Sequence, residues 1–237
     1  MLTLALDTSG KTQSLALLEN GELLSQSVQD SSVSHSEILL PAIDALLSKA
    51  SLRLEDIELF ALAAGPGSFT GLRIGISTVK AFCQVKPRPV AAVSTLMAMA
   101  WPFLQKQSWV AAGLEAGQGE FFSGVYQLEH GFPQSVIEDK LFSHEEFLRA
   151  WQSLPQEKYC VGKIFQNFSQ DSALLVSVLE SGEQNATANL AASIAVLAEK
   201  MWKKGLTISA EALKPLYLRR SEAENRLLKS LKTNSPA

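Results

Sequence analysis

A chain of 237 residues, 46% of them hydrophobic, can bury a sizeable core in one or two domains, and none of its apolar runs approaches the roughly 18 residues of a membrane span. Its two cysteines, Cys83 and Cys160, sit in apolar segments without paired spacing, and Met1 to Asp7 has no basic region. Together these predict a cytoplasmic protein with buried thiols and no secretory signal. Net charge is −3 but uneven: residues 199–237 hold nine Lys/Arg and four Glu, net +5, leaving −8 on residues 1–198. That split suits RNA or an acidic partner, and suits a solvated end equally well.

In chain order, Leu2–Leu6 predicts a first strand, Asp7-Thr8-Ser9-Gly10-Lys11 a turn, and Ser14–Glu19 a second strand. Asn20-Gly21 is a strong hairpin signal, with Glu22–Val28 returning as a third antiparallel strand. Ser34, with Glu37 at capping-box spacing, opens a helix whose Ile38, Leu39, Ala42, Ile43, Leu46 and Leu47 keep the helical period. Pro41 inside it predicts a kink or a late start. A short helical turn over Leu52–Asp56 and a fourth strand over Ile57–Ala64 follow.

Gly65-Pro66-Gly67 is a turn, since proline fixes one φ and glycine admits positive φ. Ser68 or Thr70 then caps a helix running to about Gln84. Such a helix start suits either a tight structural turn or an anion. Neither the P-loop ending nor Gly-x-Gly-x-x-Gly is present, so it is not a nucleotide fingerprint. Gly71 and Gly75 weaken the first turns by about 1 kcal/mol each, and in exchange leave a smooth surface for a close neighbour.

A brief strand (Val90–Val93) and a helix capped by Ser94 complete a βββαβαβα order. Strands over Trp109–Glu115, Glu120–Leu128 and Ser135–Phe142 come next, then a capping box at Ser143-His144-Glu145-Glu146 and a strand over Lys158–Val161. Leu179–Ala188 reads as a polar loop, and Asn189 as the cap of a helix stopped by Gly205. Two halves that each begin with strands and end in helices indicate a duplicated α/β architecture with mixed sheets.

Chemical candidates are few. Asp7 after the first strand suits Mg²⁺ or a phosphate loop, and suits an Asx turn as well. His35, His130 and His144 are scattered without metal spacing, so no metal is expected. A Ser/His/Asp site has no Gly-x-Ser-x-Gly elbow to anchor it.

Leu4-Ala5-Leu6-Asp7-Thr8-Ser9, His35-Ser36-Glu37-x-Leu39-Leu40-Pro41, Gly65-Pro66-Gly67-Ser68-Phe69-Thr70-Gly71-Leu72-Arg73-Ile74-Gly75 and Pro215-x-Tyr217-x-Arg219 resemble, in order, the bacterial TsaB (YeaZ-like) family. The likeness is dense over the first hundred residues, rests on one motif near the end, and is weak over Pro102–Gly205.

The resemblance implies an actin/Hsp70/sugar-kinase-like fold. Its domains would be 1–104, a smaller one at 105–205, a segment 206–220 packing back on the first, and a basic tail 221–237. It also implies a non-catalytic subunit that binds and activates a TsaD-type threonylcarbamoyltransferase, with a TsaE-type ATPase, in making threonylcarbamoyladenosine on tRNA. The heterodimer contact would involve His35, Leu39, Ile43 and Leu46 on one helix. On the next it would involve Ser68, Phe69, Thr70, Gly71, Arg73, Ile74, Gly75 and Thr78.

The catalytic paralogue holds its metal with a histidine pair on the first of these helices. Here His35 is followed four residues on by Leu39. No cofactor of its own is expected, although a nucleotide at the partner interface stays open, with Asp7, Thr8, Ser9 and Lys11 as vestigial or shared contacts. A homodimer is expected when the chain is alone, and a bulky residue at Gly75 is expected to block the heterodimer but not the fold. Glu115-Ala116-Gly117 stands where the family often has Asp-Ala-Arg, which puts any contact borrowed from that arginine in doubt. The alternatives are an ATP-dependent kinase or ATPase acting through Asp7, a peptidase, and an RNA-binding module using residues 221–237.

Overall fold

The computed structural model describes residues 1–30, 34–104, 109–155, 157–168 and 189–219. The predicted loop at 179–188 and the basic tail at 221–237 lie outside the described residues. Strands β1 (Leu2–Asp7), β2 (Thr12–Glu19) and β3 (Glu22–Asp30) form an antiparallel meander. Asn20 and Gly21 take φ of 53° and 91°, the left-handed pair that a two-residue hairpin requires. Helix α1 (His35–Lys49) leads to β4 (Leu59–Gly65), α2 (Phe69–Val85), β5 (Val90–Ser94) and α3 (Thr95–Leu104). β4 pairs parallel with β1 and β5 parallel with β4, giving the sheet order β3-β2-β1-β4-β5.

The second half repeats the plan. β6 (Trp109–Gly117), β7 (Glu120–Glu129) and β8 (Phe132–Ser143) are antiparallel, α4 (His144–Gln152) follows, and β9 (Lys158–Val161) pairs parallel with β6. The order β8-β7-β6-β9 matches the first four strands of the first sheet. In both halves a left-handed glycine ends the parallel strand: Gly65 at φ 125° and Gly162 at φ 122°. Two such βββαβ units with helices packed between their sheets make the actin/Hsp70/sugar-kinase-like fold.

Strand alternation explains the layers. Leu2, Leu4, Leu6, Leu15 and Leu17 face α1 and α2. The opposite face of the same sheet is lined by Ala5, Ala16, Ala61 and Ala91, and these small residues let α5 (Leu190–Lys203) lie close through Ala191, Ala195 and Ala198. Thus α5 packs across the first sheet although it follows the second in the chain, and α3 fills the space toward Val110, Ala112 and Tyr126 of the second sheet. Beyond that sheet, Phe121, Phe142, Phe147, Trp151 and Phe165 build an aromatic layer with α4.

Two predicted helix starts differ in their caps. Ser143 and Glu146 form the reciprocal capping box, with Ser143 Oγ accepting the Glu146 N–H at 3.3 Å. Ser34 does not, because its hydroxyl pairs with Ser36 Oγ at 2.7 Å, and α1 begins at His35 and runs through Pro41. After α5, Ile208 exchanges two 2.9 Å backbone hydrogen bonds with Val90, and Ala210 and Leu213 join the core under α1 and α2.

Candidate functional site

The start of α2 is held by the chain's own first turn. Ser68 caps the helix, accepting the Gly71 N–H at 3.2 Å, while the Ser68 N–H donates to the Ser9 carbonyl at 2.7 Å. Thr8 Oγ1–H donates to the Gly71 carbonyl at 2.7 Å. A Cβ at Gly67 would stand 2.5 Å from the Ser9 oxygen, one at Gly71 1.9 Å from the Thr8 oxygen, and one at Gly75 2.6 Å from Thr8 Oγ1.

The close neighbour that the smooth glycine track accommodates is therefore the β1–β2 turn of the same chain. This corrects the reading of Gly71 and Gly75 as partner surface, since both are buried. A bulky residue at Gly75 would disturb this internal packing first. Ile43 and Leu46 are likewise core positions, 3% and 4% exposed and turned to the sheet, and Leu39 contributes only to the floor of a groove.

The candidate nucleotide contacts divide in the same way. The Asp7 carboxylate accepts the Ser9 N–H at 2.9 Å, an Asx turn, and is buried. Burial raises its pKa above the ordinary 3.8, against the lowering pull of its Ser9 hydrogen bonds and of His35. Thr8 is spent on Gly71, while Ser9 and Lys11 reach a cleft of about 1030 Å³ bounded by His35, Phe69, Glu115 and Tyr217. His35 Nε2–H donates to the Gly10 carbonyl at 3.0 Å, tying the head of α1 to the same turn. Among the described residues no three His, Cys, Asp or Glu converge as a metal site would require.

What α1 and α2 leave open is a groove of about 510 Å³ between them, lined by Ser36, Leu40, Phe69, Arg73, Ile74 and Thr78 among others. Leu40 is 54% exposed there, a large apolar side chain facing solvent. Phe69 and Arg73 on one wall of the groove belong to a three-part stack that Tyr217 completes from the neighbouring cleft. Phe69 lies on Tyr217 with ring centroids 4.6 Å apart and 20° between planes. The Arg73 guanidinium sits 4.0 Å above the Phe69 ring, and its Nε–H donates to the Tyr217 hydroxyl at 3.0 Å.

Tyr217 arrives on a C-terminal strap. The Leu216 N–H donates to the Ala64 carbonyl at 2.7 Å, an approach that Gly65 permits, since a Cβ there would lie 2.5 Å from the Leu216 oxygen. Two residues on, Arg219 reaches the second half and donates to the Ala116 carbonyl at 2.6 Å, to Gln118 Oε1 at 2.8 Å and to Glu120 Oε2 at 2.7 Å. Gly117 has φ 78°, a conformation that favours glycine, so this hairpin is built for the residue it has.

Sequence reasoning quoted Leu40, Tyr217 and Arg219 in the family motifs without giving them contacts. The helical period already assigns Leu39 to the core, which leaves the adjacent Leu40 on the outer side. Sequence reasoning also passed over a partly buried cluster between the halves. Tyr126 O–H donates to Asp139 Oδ1, and Ser94 O–H donates to Asp139 Oδ2 at 2.5 Å while accepting the Met97 N–H at 3.1 Å. Burial raises the Asp139 carboxyl pKa, opposed by these two donors.

Comparison with known proteins adds to this geometry. The family model described as TsaD, tRNA N6-adenosine threonylcarbamoyltransferase, matches residues 25–234. The tRNA threonylcarbamoyladenosine biosynthesis protein TsaB of Escherichia coli K12 is 31% identical over 96% of this chain and 98% of its own. The TsaB protein of Haemophilus influenzae is 30% identical over 91% and 92% respectively. The solved structure of YeaZ from Pseudomonas aeruginosa superposes with a TM-score of 0.74 at 28% identity, covering 92% of this chain and 99% of that one. No helix among the described residues is long and apolar enough to cross a membrane.

Proposed function

The chain belongs to the TsaB (YeaZ-like) family of tRNA threonylcarbamoyladenosine biosynthesis proteins, and from that premise we propose that it is the non-catalytic subunit that binds and activates a TsaD-type threonylcarbamoyltransferase. The observation that carries the proposal is the open groove between α1 and α2, with Leu40 exposed on one side and Phe69 and Arg73, backed by Tyr217, on the other. A partner from the same family would offer related helices, so two such faces can meet in a pseudo-symmetric pair. For the same reason the chain alone would pair with itself. The binding surface within the predicted set is then Phe69, Thr70, Arg73, Ile74 and Thr78, with Leu40 added.

The non-catalytic assignment is supported by chemistry. On α1 the single imidazole of His35 is bonded to a turn carbonyl, and one turn further on stands the buried Leu39. Asp7 is closed into its Asx turn. The proposal extends to a TsaE-type ATPase joining the pair, to tRNA reached through the complex, and to a nucleotide in the cleft beside the groove. There Lys11, His35, Ser68 and Tyr217 offer cationic, hydroxyl and ring groups that fit a phosphorylated heteroaromatic ligand.

Calorimetric titration of this chain with a purified TsaD-type transferase tests the assignment. Leu40→Asp places a charge on the groove without touching the core, and is expected to weaken binding at least tenfold with an unchanged melting temperature. Equal binding by the wild type and this variant would move the contact to another face.

A further inference from the structure

Residues 206–219 tie three parts of the molecule together. Ile208 bridges to Val90 on the edge strand of the first sheet, Leu213 is fully buried beneath α1 and α2, and Leu216 is bonded to Ala64. The segment then crosses to the second half, where Arg219 engages the hairpin between β6 and β7 through three acceptors. Tyr217 sits between these two anchorages, with its ring on Phe69 and its hydroxyl on Arg73.

Phe69 and Arg73 stand four residues apart at the start of α2, and so share one face of the helix. Phe69 is the first helical residue, with no preceding turn of α2 to restrict it. Arginine is among the side chains with the most rotamer freedom to lose. Both groups would have to be ordered when a partner docks, and ordering them beforehand raises affinity without adding a contact. Tyr217 orders both at once, one by stacking and the other by hydrogen bonding. Arg219 is suited to hold the strap because its planar fork addresses three acceptors together, which a lysine ammonium on a flexible stem does not reproduce.

We propose that Tyr217 and Arg219 are positioning residues for the partner-binding face: Tyr217 sets the orientation of Phe69 and Arg73, and Arg219 sets Tyr217 by fastening the strap to the β6–β7 hairpin. The proposal rests on reading the α1–α2 groove as the partner site. Its consequence is that the second half, whose described residues do not line that groove, contributes to the affinity of the first half for its partner.

The test uses the full chain and the purified TsaD-type transferase, titrated calorimetrically with wild type, Tyr217→Ala, Tyr217→Phe and Arg219→Lys, each checked by thermal melting. Tyr217→Ala is expected to lose about tenfold in affinity, about 1.4 kcal/mol. Tyr217→Phe, which keeps the stack and loses the hydroxyl, is expected to lose about threefold. Arg219→Lys is expected to fall between them with a cooperative melt. In nitrogen-15 spectra of the free chain, the Arg73 Nε–H should be protected from solvent exchange in the wild type and exposed in Tyr217→Phe, a change that loss of fold would not imitate. If Tyr217→Ala fails to melt cooperatively, Tyr217→Phe and Arg219→Lys carry the test. Wild-type binding matched by both of those variants overturns the positioning role alone. A wild type that does not bind the transferase overturns the groove reading, and the positioning role with it.

Discussion

The first half of the chain closes its opening turn against itself, whereas the second half leaves its opening turn at the surface and fastens it from outside. In the first, Thr8 and Ser9 lie on a glycine track of α2, and a Cβ on any of three glycines would collide with them. In the second, Gly117 and Gly119 have open space where a Cβ would point, and the hairpin is held by Arg219 from the C-terminal strap. The divergence begins after equivalent glycines. Gly65 is followed by the 17-residue α2, and Gly162 by a six-residue 3-10 helix, Lys163–Phe168. One βββαβ plan thus yields a half with a long helix face and, on the proposed function, a half that braces it. The order of the first four strands is common to both, and the two halves part at the element after the fourth strand.

The sharpest way to break this contrast is Gly71→Val. Its Cβ would meet the Thr8 carbonyl, a backbone atom with little room to yield, so destabilisation on the order of 3 kcal/mol is expected in urea unfolding. Tyr126→Phe acts on the junction between the halves, removing one of two hydroxyl donors to the partly buried Asp139. A loss of about 1–2 kcal/mol is expected in the same measurement.

The smallest effect is a pH dependence. Burial raises the pKa of Asp7 above 3.8, so the folded state takes up its proton before the unfolded state does. The stabilisation from that proton is fully present below about 3.8 and is lost as pH rises through the folded pKa. Asp7→Asn keeps an acceptor for the Ser9 N–H and does not titrate. Wild type should therefore gain stability relative to this variant as pH is lowered from 7 toward 4, and a flat difference would remove burial as the dominant influence on Asp7.

Local chemistry was readable where the partner lies nearby in the chain. Asn20-Gly21 announced its hairpin, and Ser143 with Glu146 its capping box, because both depend on φ preferences or on spacing alone. The same spacing misled at Ser34, where Ser36 offers the hydroxyl a competing partner two residues away. Gly71 and Gly75 correctly signalled a close approach, but a glycine carries no information about who approaches, and the neighbour proved to be Thr8. Tyr217 and Arg219 were legible as a motif and silent as to contacts, since their partners Phe69, Arg73 and Glu120 are about a hundred residues or more away. Asp139 shows no local sign of its hydrogen bonds, because strand alternation does not reveal which acid will meet a serine and a tyrosine from elsewhere.

The most direct test of the proposed function is reconstitution of threonylcarbamoyladenosine synthesis on tRNA from a purified TsaD-type transferase, a TsaE-type ATPase and the adenylate-forming enzyme, with and without this chain. The account predicts that modification is lost on omission, returns when the wild type is added back, and returns poorly with Leu40→Asp. Modification that proceeds equally well without the chain would contradict it.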